Sequence, residues 1–189
     1  MNTPLADQPD GVLAAQCLAG NERAFAEIMR RHKAPLHRTV ARLIGDDDAA
    51  LDVVQDAFVA AYRALRSYDA DRPLRTWLYR IAINKARDWQ RRRAVRRLVW
   101  TLLPTGEPPD TPDATPTAET VMADRQELAR VSGAITRLPA ALREVLVLRT
   151  IEGMAQVEVA QMLGISAKAV EVKLYRARLK LIALLGSPY

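Results

Sequence analysis

The chain has 189 residues, of which 49% are hydrophobic, and its formal net charge is +6. This length allows one or two small domains, and the positive charge indicates an acidic partner such as nucleic acid, although a soluble basic protein without such a partner has the same composition. The single cysteine, Cys17, excludes an internal disulfide framework. A polar N-terminus and the lack of an apolar run approaching ~20 residues predict a cytoplasmic protein that is not embedded in a membrane.

Apolar residues recur at helical spacing along almost the whole chain, and strand signals are nearly absent. The predicted fold class is therefore all-α. The segment from Leu102 to Thr117 contains five prolines and little that can pack, which is typical of a flexible linker. The chain is thereby divided into a helical domain at residues 10–97, a linker at 98–120 and a second helical domain at 121–186, and relative motion of the two domains is expected.

The first domain is predicted to contain four helices, the first two of which meet near His32 and His37. Asn21 caps the first helix, whose apolar residues are Phe25, Ile28 and Met29. The second helix ends at Gly45, and its apolar residues are Leu36, Val40, Leu43 and Ile44.

The third predicted helix opens with three aspartates, residues 46–48, which suit the positive end of a helix dipole. Its predicted core face consists of Leu51, Val54, Phe58, Tyr62 and Leu65. The fourth helix is predicted to run from near Pro73 to about Arg97. Its predicted apolar side consists of Leu74, Leu78, Ile81, Ala82 and Trp89.

A second face of the third helix is acidic and amide-bearing, and it contains Asp52, Gln55, Asp56 and Val59. On a basic protein, such a face is either a solvated surface or a docking surface for a basic protein partner. A metal site is a third interpretation, because two aspartates four residues apart share a face. No histidine or glutamate completes the coordination, so neither a metal nor a cofactor is predicted.

The fourth helix carries a polar stripe, Arg80, Asn84, Arg87 and Arg91, at spacings of four, three and four. Arginines at this density follow a phosphate backbone, whereas the Asn84 amide can recognise a base edge. Trp77 lies between the apolar and basic sides, where it either joins the core or stacks on an unpaired base. The stripe predicts binding of single-stranded nucleic acid.

The second domain contains a predicted helix pair of the DNA-reading type. Val159 and Ala160 lie on its first helix, Gly164 forms the turn, and Ser166 caps the second helix. The buried face of the second helix consists of Val170, Leu174, Ala177 and Leu181. The exposed residues, which suit a helix in the major groove, are Lys168, Glu171, Val172, Tyr175 and Arg176.

Four segments together resemble the extracytoplasmic-function (ECF) sigma factors of bacterial RNA polymerase. They are DVVQDAF at 52–58, RTWLYRIAIN at 75–84, LPAALREVLVLR at 138–149 and YRARLKL at 175–181. The end of the chain is similar to the nickel and cobalt resistance subgroup of that family.

The resemblance implies that domain two docks on the β′ clamp of core polymerase through Asp52, Gln55 and Asp56. The loop at residues 68–76 and the fourth helix would then read the promoter −10 element as a single strand, with Asn84 near a flipped base. Domain four would read the −35 element and contact the β flap, and the linker would thread toward the RNA exit channel. The family also implies control by an anti-sigma factor, no small-molecule substrate and no catalysis by this chain.

Glu171 departs from the family pattern, in which Lys or Arg is common after the buried valine. A carboxylate there repels phosphate but can accept a hydrogen bond from cytosine N4, so an unusual −35 preference is predicted. Two other functions remain open at this point. One is a conventional DNA-binding regulator that uses only the C-terminal helix pair, and the other is a small metal nuclease built on residues 46–56.

Overall fold

The computed structural model describes residues 3–102 and 122–186, with side chains described for 3–96 and 126–186. Regular secondary structure in these ranges is helical throughout, which confirms the predicted all-α fold class. The first domain contains α1 (Asp10–Leu18), α2 (Glu22–Ile44), α3 (Asp47–Ala64) and α4 (Leu74–Leu102). The second contains α5 (Met122–Arg137), α6 (Ala140–Leu146), a π-helical turn (Val147–Ile151), α7 (Gln156–Leu163) and α8 (Ala167–Leu185).

A single helix, α2, replaces the first two helices of the prediction, which is wrong on this point. Pro35 lies inside it and lacks the N–H that would bond to the carbonyl of Arg31. The helix continues because Ile28, Leu36 and Val40 lie on one buried face on both sides of the proline. Asn21 occupies the predicted N-cap position, but its side chain bonds to Gln16 rather than to the helix backbone.

The core face of α3 differs from the prediction in its large residues. Leu51 and Tyr62, both predicted as core, are each 47% exposed. The buried set combines the predicted Val54 and Phe58 with small residues, namely Ala50, Val53, Ala57 and Ala61. The alanines allow α3 to pack closely on α2 and α4, and this rotates Leu51 and Tyr62 to the surface. The Asp46 side chain accepts a hydrogen bond from the Ala49 N–H at 3.0 Å, which confirms the predicted acidic start of α3.

Helix α4 begins at Leu74, next to the predicted Pro73, and continues to Leu102, beyond the predicted end at about Arg97. Leu74, Leu78 and Ala82 are buried, whereas Ile81 and Trp89 are half-buried. Tyr79, Ile83 and Ala86 are also buried and were not assigned to the core by the sequence. Residues 103–121, which include most of the predicted linker, lie outside the described residues.

The second domain forms around the predicted helix pair. Gly164 adopts the left-handed conformation (φ 68°) at the end of α7, and the Ser166 hydroxyl accepts a hydrogen bond from the Ala169 N–H. Val170 and Ala177 are fully buried, while Leu174 and Leu181 are half-buried. Burial of these residues against α6 and α7 leaves the opposite side of α8 open to solvent.

The two domains pack directly against each other. Helices α2 and α4 contact α5, α6 and α7, and one hydrophobic cluster runs through both domains. Within the described ranges, no helix combines the length and apolar character that crossing a bilayer requires.

Candidate nucleic-acid and protein interfaces

The exposed face of α3 combines acidic, amide and apolar side chains. Asp52, Gln55 and Asp56 are all exposed, and Val59 beside them is 44% exposed. Leu51 and Tyr62 extend the same surface, because helical spacing places them on either side of Asp52, Gln55 and Val59. The sequence indicated the polar part of this face but assigned the two large residues to the core. Exposed apolar groups next to carboxylates are typical of a protein-binding surface rather than of a solvated helix side.

A cleft of about 330 Å³ lies where the end of α3, the following loop and α4 meet. It brings together Trp77, Arg80 and Asn84, three of the predicted −10 residues. The loop and the end of α3 contribute Ala64, Ser67, Tyr68, Asp69 and Arg72. The cleft therefore offers an aromatic ring, a guanidinium and an amide to a single occupant.

Local contacts hold the loop of this cleft in place. The Tyr68 hydroxyl donates to the carbonyl of Arg72 at 2.6 Å, and the Arg72 guanidinium lies 3.2 Å from the Asp69 carboxylate. The Tyr68 and Trp77 rings pack in a tilted arrangement with centroids 5.3 Å apart. Burial raises the pKa of Tyr68, which further favours the protonated phenol that donates this hydrogen bond. Trp77 itself is half-buried, and it lies between the core and the open cleft.

The remaining stripe residues of α4 have different surroundings. Arg91 is 78% exposed and pairs with Asp88, one turn before it. Arg87 turns toward the second domain, where its Nε and Nη2 donate to the two carboxylate oxygens of Glu144, both at 2.7 Å. This double hydrogen bond raises the pKa of Arg87. The four-residue stripe predicted from spacing is therefore not one open surface in this arrangement.

The exposed side of α8 carries the predicted −35 residues. Lys168 and Glu171 form an ion pair at 3.0 Å on the first turns of the helix. Glu171, Val172 and Tyr175 line a shallow cleft of about 370 Å³ together with Leu174 and Arg178. Arg176 is exposed but lies outside this lining, and Arg178 was missed by the sequence reasoning, although it lies one turn after Leu174 in the same basic segment.

Among the described residues, no cluster of histidine, cysteine, aspartate and glutamate has the arrangement of a metal site. Asp46 is used in capping α3 and in an ion pair with Arg93, and Asp52 and Asp56 point into solvent. The aspartates of residues 46–56 therefore do not converge on a cleft.

Comparisons with known proteins agree with both halves of this architecture. The family model "Sigma-70 region 2" matches residues 28–97, and "Sigma-70, region 4" matches residues 128–181. The RNA polymerase sigma factor CnrH of Cupriavidus metallidurans is 44% identical, with 96% of each chain covered. The sigma factor NccH of Alcaligenes xylosoxydans xylosoxydans is 40% identical over 94% of this chain and 95% of that protein.

A solved structure of CnrH, in complex with the cytosolic domain of CnrY, is also similar. Its sequence identity is 39% and its TM-score is 0.69, over 95% of this chain and 99% of that one. The matches on both domains define a sigma factor of the sigma-70 class.

Within that class, the chain belongs to the ECF sigma factors of RNA polymerase, in the group that contains CnrH and NccH. It acts with core RNA polymerase in promoter-directed transcription initiation and is not itself an enzyme. Membership of this family excludes both the nuclease and the conventional regulator that uses one domain alone. The predicted similarity to the nickel and cobalt resistance subgroup is confirmed.

Proposed function

We propose that three separate surfaces of this sigma factor divide the work of initiation. The α3 face docks on the β′ clamp of core polymerase, the cleft at the start of α4 captures a −10 base, and α8 reads the −35 duplex. The observation that carries this proposal is the cleft, because it joins Trp77, Arg80 and Asn84 with the loop around Tyr68. Domain boundaries at 10–97 and 121–186, with a linker at 98–120, suit this division.

The cleft suits a base that has left the duplex. Extruding a base costs a few kcal/mol, and stacking on an aromatic ring returns roughly 1–3 kcal/mol per base. Trp77 and Tyr68 supply the rings, Asn84 can both donate to and accept from a base edge, and Arg80 can bind the adjacent phosphate. Arg91, which is well exposed further along α4, extends the phosphate track.

On α8, the chemistry of the exposed side chains suits the major groove. Lys168 and Arg176 provide charge for phosphate or guanine, and Val172 can contact a thymine methyl group. Glu171 and Tyr175 add a carboxylate acceptor and a hydroxyl, and both line the cleft on this side of the helix. Helix α8 enters the groove from its N-terminal half, where these residues lie.

Docking through α3 is tested with the double variant Asp52→Asn and Asp56→Asn. Both side chains are exposed, so the fold is retained. Two interfacial charge contacts of ~0.5–1 kcal/mol each are lost, and we expect affinity for core polymerase to fall roughly 5- to 30-fold. Fluorescence anisotropy of labelled protein titrated with core polymerase measures the change.

The matched control is Glu22→Gln with Glu127→Gln, which removes two exposed carboxylates from other helices. It should leave core affinity within about twofold, because a general charge effect is small at physiological ionic strength. Equal weakening in both double variants would exclude α3 as the docking face. A third variant, Val59→Ser, tests the apolar part of the same face.

An anti-sigma factor is the expected regulator, and the protein is expected to be cytoplasmic. The solved structure of CnrH contains the cytosolic domain of CnrY, and a second, more distant structure pairs the sigma factor RpoE with the anti-sigma factor NepR. The identity to CnrH over nearly the whole chain supports a partner of the same kind here. Co-purification from cells grown with and without metal stress would detect it.

A further inference from the structure

Glu152, in the turn that follows the π-helical segment, binds the first domain although it belongs to the second. Its carboxylate accepts a hydrogen bond from the Tyr79 hydroxyl at 2.9 Å and lies 2.6 Å from the Thr39 hydroxyl. The Arg75 guanidinium lies 3.3 Å from the same carboxylate and is also 3.3 Å from the Glu152 backbone carbonyl. Only 11% of the Glu152 side chain is exposed, whereas 46% of the Arg75 side chain is, so the carboxylate is enclosed and the guanidinium lies at the edge of the contact.

Glu144 makes the corresponding contact further along α4. It holds Arg87 through two parallel hydrogen bonds of 2.7 Å, and its side chain is 8% exposed. Paired hydrogen bonds of this geometry are the strongest that an arginine forms with a carboxylate. Together, Glu144 and Glu152 fasten the second domain to α4 at two points about three turns apart.

Both arginines lie on the element that we assign to the −10 strand. Arg75 lies in the first turn of α4, outside the lining of the cleft, and Arg87 belongs to the predicted stripe. A carboxylate presents two anionic oxygens to a guanidinium much as a phosphate does. We propose that Glu144 and Glu152 form an intramolecular latch that closes the free sigma factor and occupies the guanidinium groups of these arginines until polymerase and promoter separate the domains.

The distance between promoter elements requires such an opening. Positions −10 and −35 are about 25 base pairs apart, which is roughly 85 Å along the duplex at ~3.4 Å per pair. A compact chain of this length has a radius of gyration of about 16 Å. In the closed form α7 packs directly on α4, so the two readers are adjacent and cannot reach both elements together.

The latch lowers the apparent affinity for single-stranded DNA in proportion to the fraction of molecules that are open. Replacing each glutamate by glutamine keeps the side-chain shape but removes the charge-assisted hydrogen bonds to Arg87 and Arg75, which weakens the closed form. The double variant Glu144→Gln with Glu152→Gln therefore shifts the population toward the open form.

Two measurements on the full chain without polymerase test the latch. Small-angle scattering reports domain separation, and anisotropy with a fluorescein-labelled dT12 strand reports access to α4. We expect the double variant to have a larger radius of gyration and to bind dT12 about tenfold more tightly than wild type. The control Glu22→Gln with Glu127→Gln changes the net charge equally and should match wild type in both measurements.

An unchanged radius of gyration in the double variant would overturn the proposal, and so would separation of the domains without a gain in dT12 affinity. Equal gains in the control would also overturn it, because the effect would then be a general one of charge. The masking step depends on the proposed −10 function of α4. The variant Arg80→Ala tests that −10 function separately, because Arg80 lies outside the latch. If α4 does not read the −10 element, Arg80→Ala will leave promoter opening unchanged.

Discussion

We propose that Glu171 is the residue most responsible for the promoter choice of this sigma factor. It lies on the exposed side of α8, in the N-terminal half of the helix, paired with Lys168 at 3.0 Å and next to Val172 and Tyr175. Replacing it with arginine removes an acceptor suited to cytosine N4 and adds a donor suited to guanine. We expect Glu171→Arg to change the preferred base at one −35 position by roughly ten- to hundredfold, since such contacts discriminate by ~1–3 kcal/mol. Duplex binding across single-base −35 variants measures this.

The control for that substitution is Glu127→Arg, which makes the same charge change on α5, away from the groove side of α8. It should strengthen binding to all duplexes to a similar degree, through phosphate attraction alone. If Glu171→Arg behaves in the same uniform way, the carboxylate does not read a base.

Gly45 follows the last residue of α2, and substitutions there test how α2 packs on α5. It adopts a left-handed conformation (φ 72°), and a Cβ at this position would lie 2.8 Å from Thr136 Cγ2 on α5. Gly153 has a similar φ of 65° but open space around it. Both alanine variants lose ~1–2 kcal/mol to backbone strain. We expect urea unfolding to show a larger loss of stability for Gly45→Ala than for Gly153→Ala, because α5 must also shift.

Removing the methyl group that causes the clash is the complementary test. Thr136→Ser keeps the hydroxyl that donates to the Gly133 carbonyl but lacks Cγ2. Adding Thr136→Ser to Gly45→Ala should recover part of the extra loss in the free energy of unfolding. Adding it to Gly153→Ala should recover none. The same unfolding midpoint for Gly45→Ala and Gly153→Ala would contradict the observed packing of α2 on α5.

Much of the element pattern was predictable, because helical periodicity and capping residues are local properties. Asp46 and Ser166 cap helices where their sequence positions indicate, and the exposed residues of α8 lie together as expected. The division at Pro35 was wrong since a proline removes one hydrogen bond without ending a helix whose apolar face continues. Leu51 and Tyr62 were misassigned because small alanines, rather than the largest residues, determine the close approach of α3.

The contacts between distant parts of the chain could not be read from local patterns. Arg87 has the spacing of a phosphate-binding residue, and nothing near it in the sequence indicates that Glu144, 57 residues later, binds it. Glu152 and Arg75 are 77 residues apart and pair for the same reason. Such partners depend on how one domain docks on the other, and helix periodicity carries no information about docking.

At the scale of the whole molecule, two promoter readers are carried by domains that pack together in the free chain. The acidic α3 face remains exposed in this closed arrangement, so polymerase can bind it before the domains separate. On the proposal above, docking comes first, and Arg75 and Arg87 of α4 leave their partners Glu152 and Glu144 only afterwards.

Run-off transcription with core polymerase and a library of promoters randomised at the −10 and −35 elements tests the central claim most directly. The wild-type chain should select both elements. Asn84→Ala should lose selection at a −10 position while retaining the −35 preference, because only the cleft has changed. Full −10 selection by Asn84→Ala would contradict the assignment of the cleft. The assignment would also be contradicted if the purified chain selects −35 duplexes tightly and the transcripts show no −10 preference.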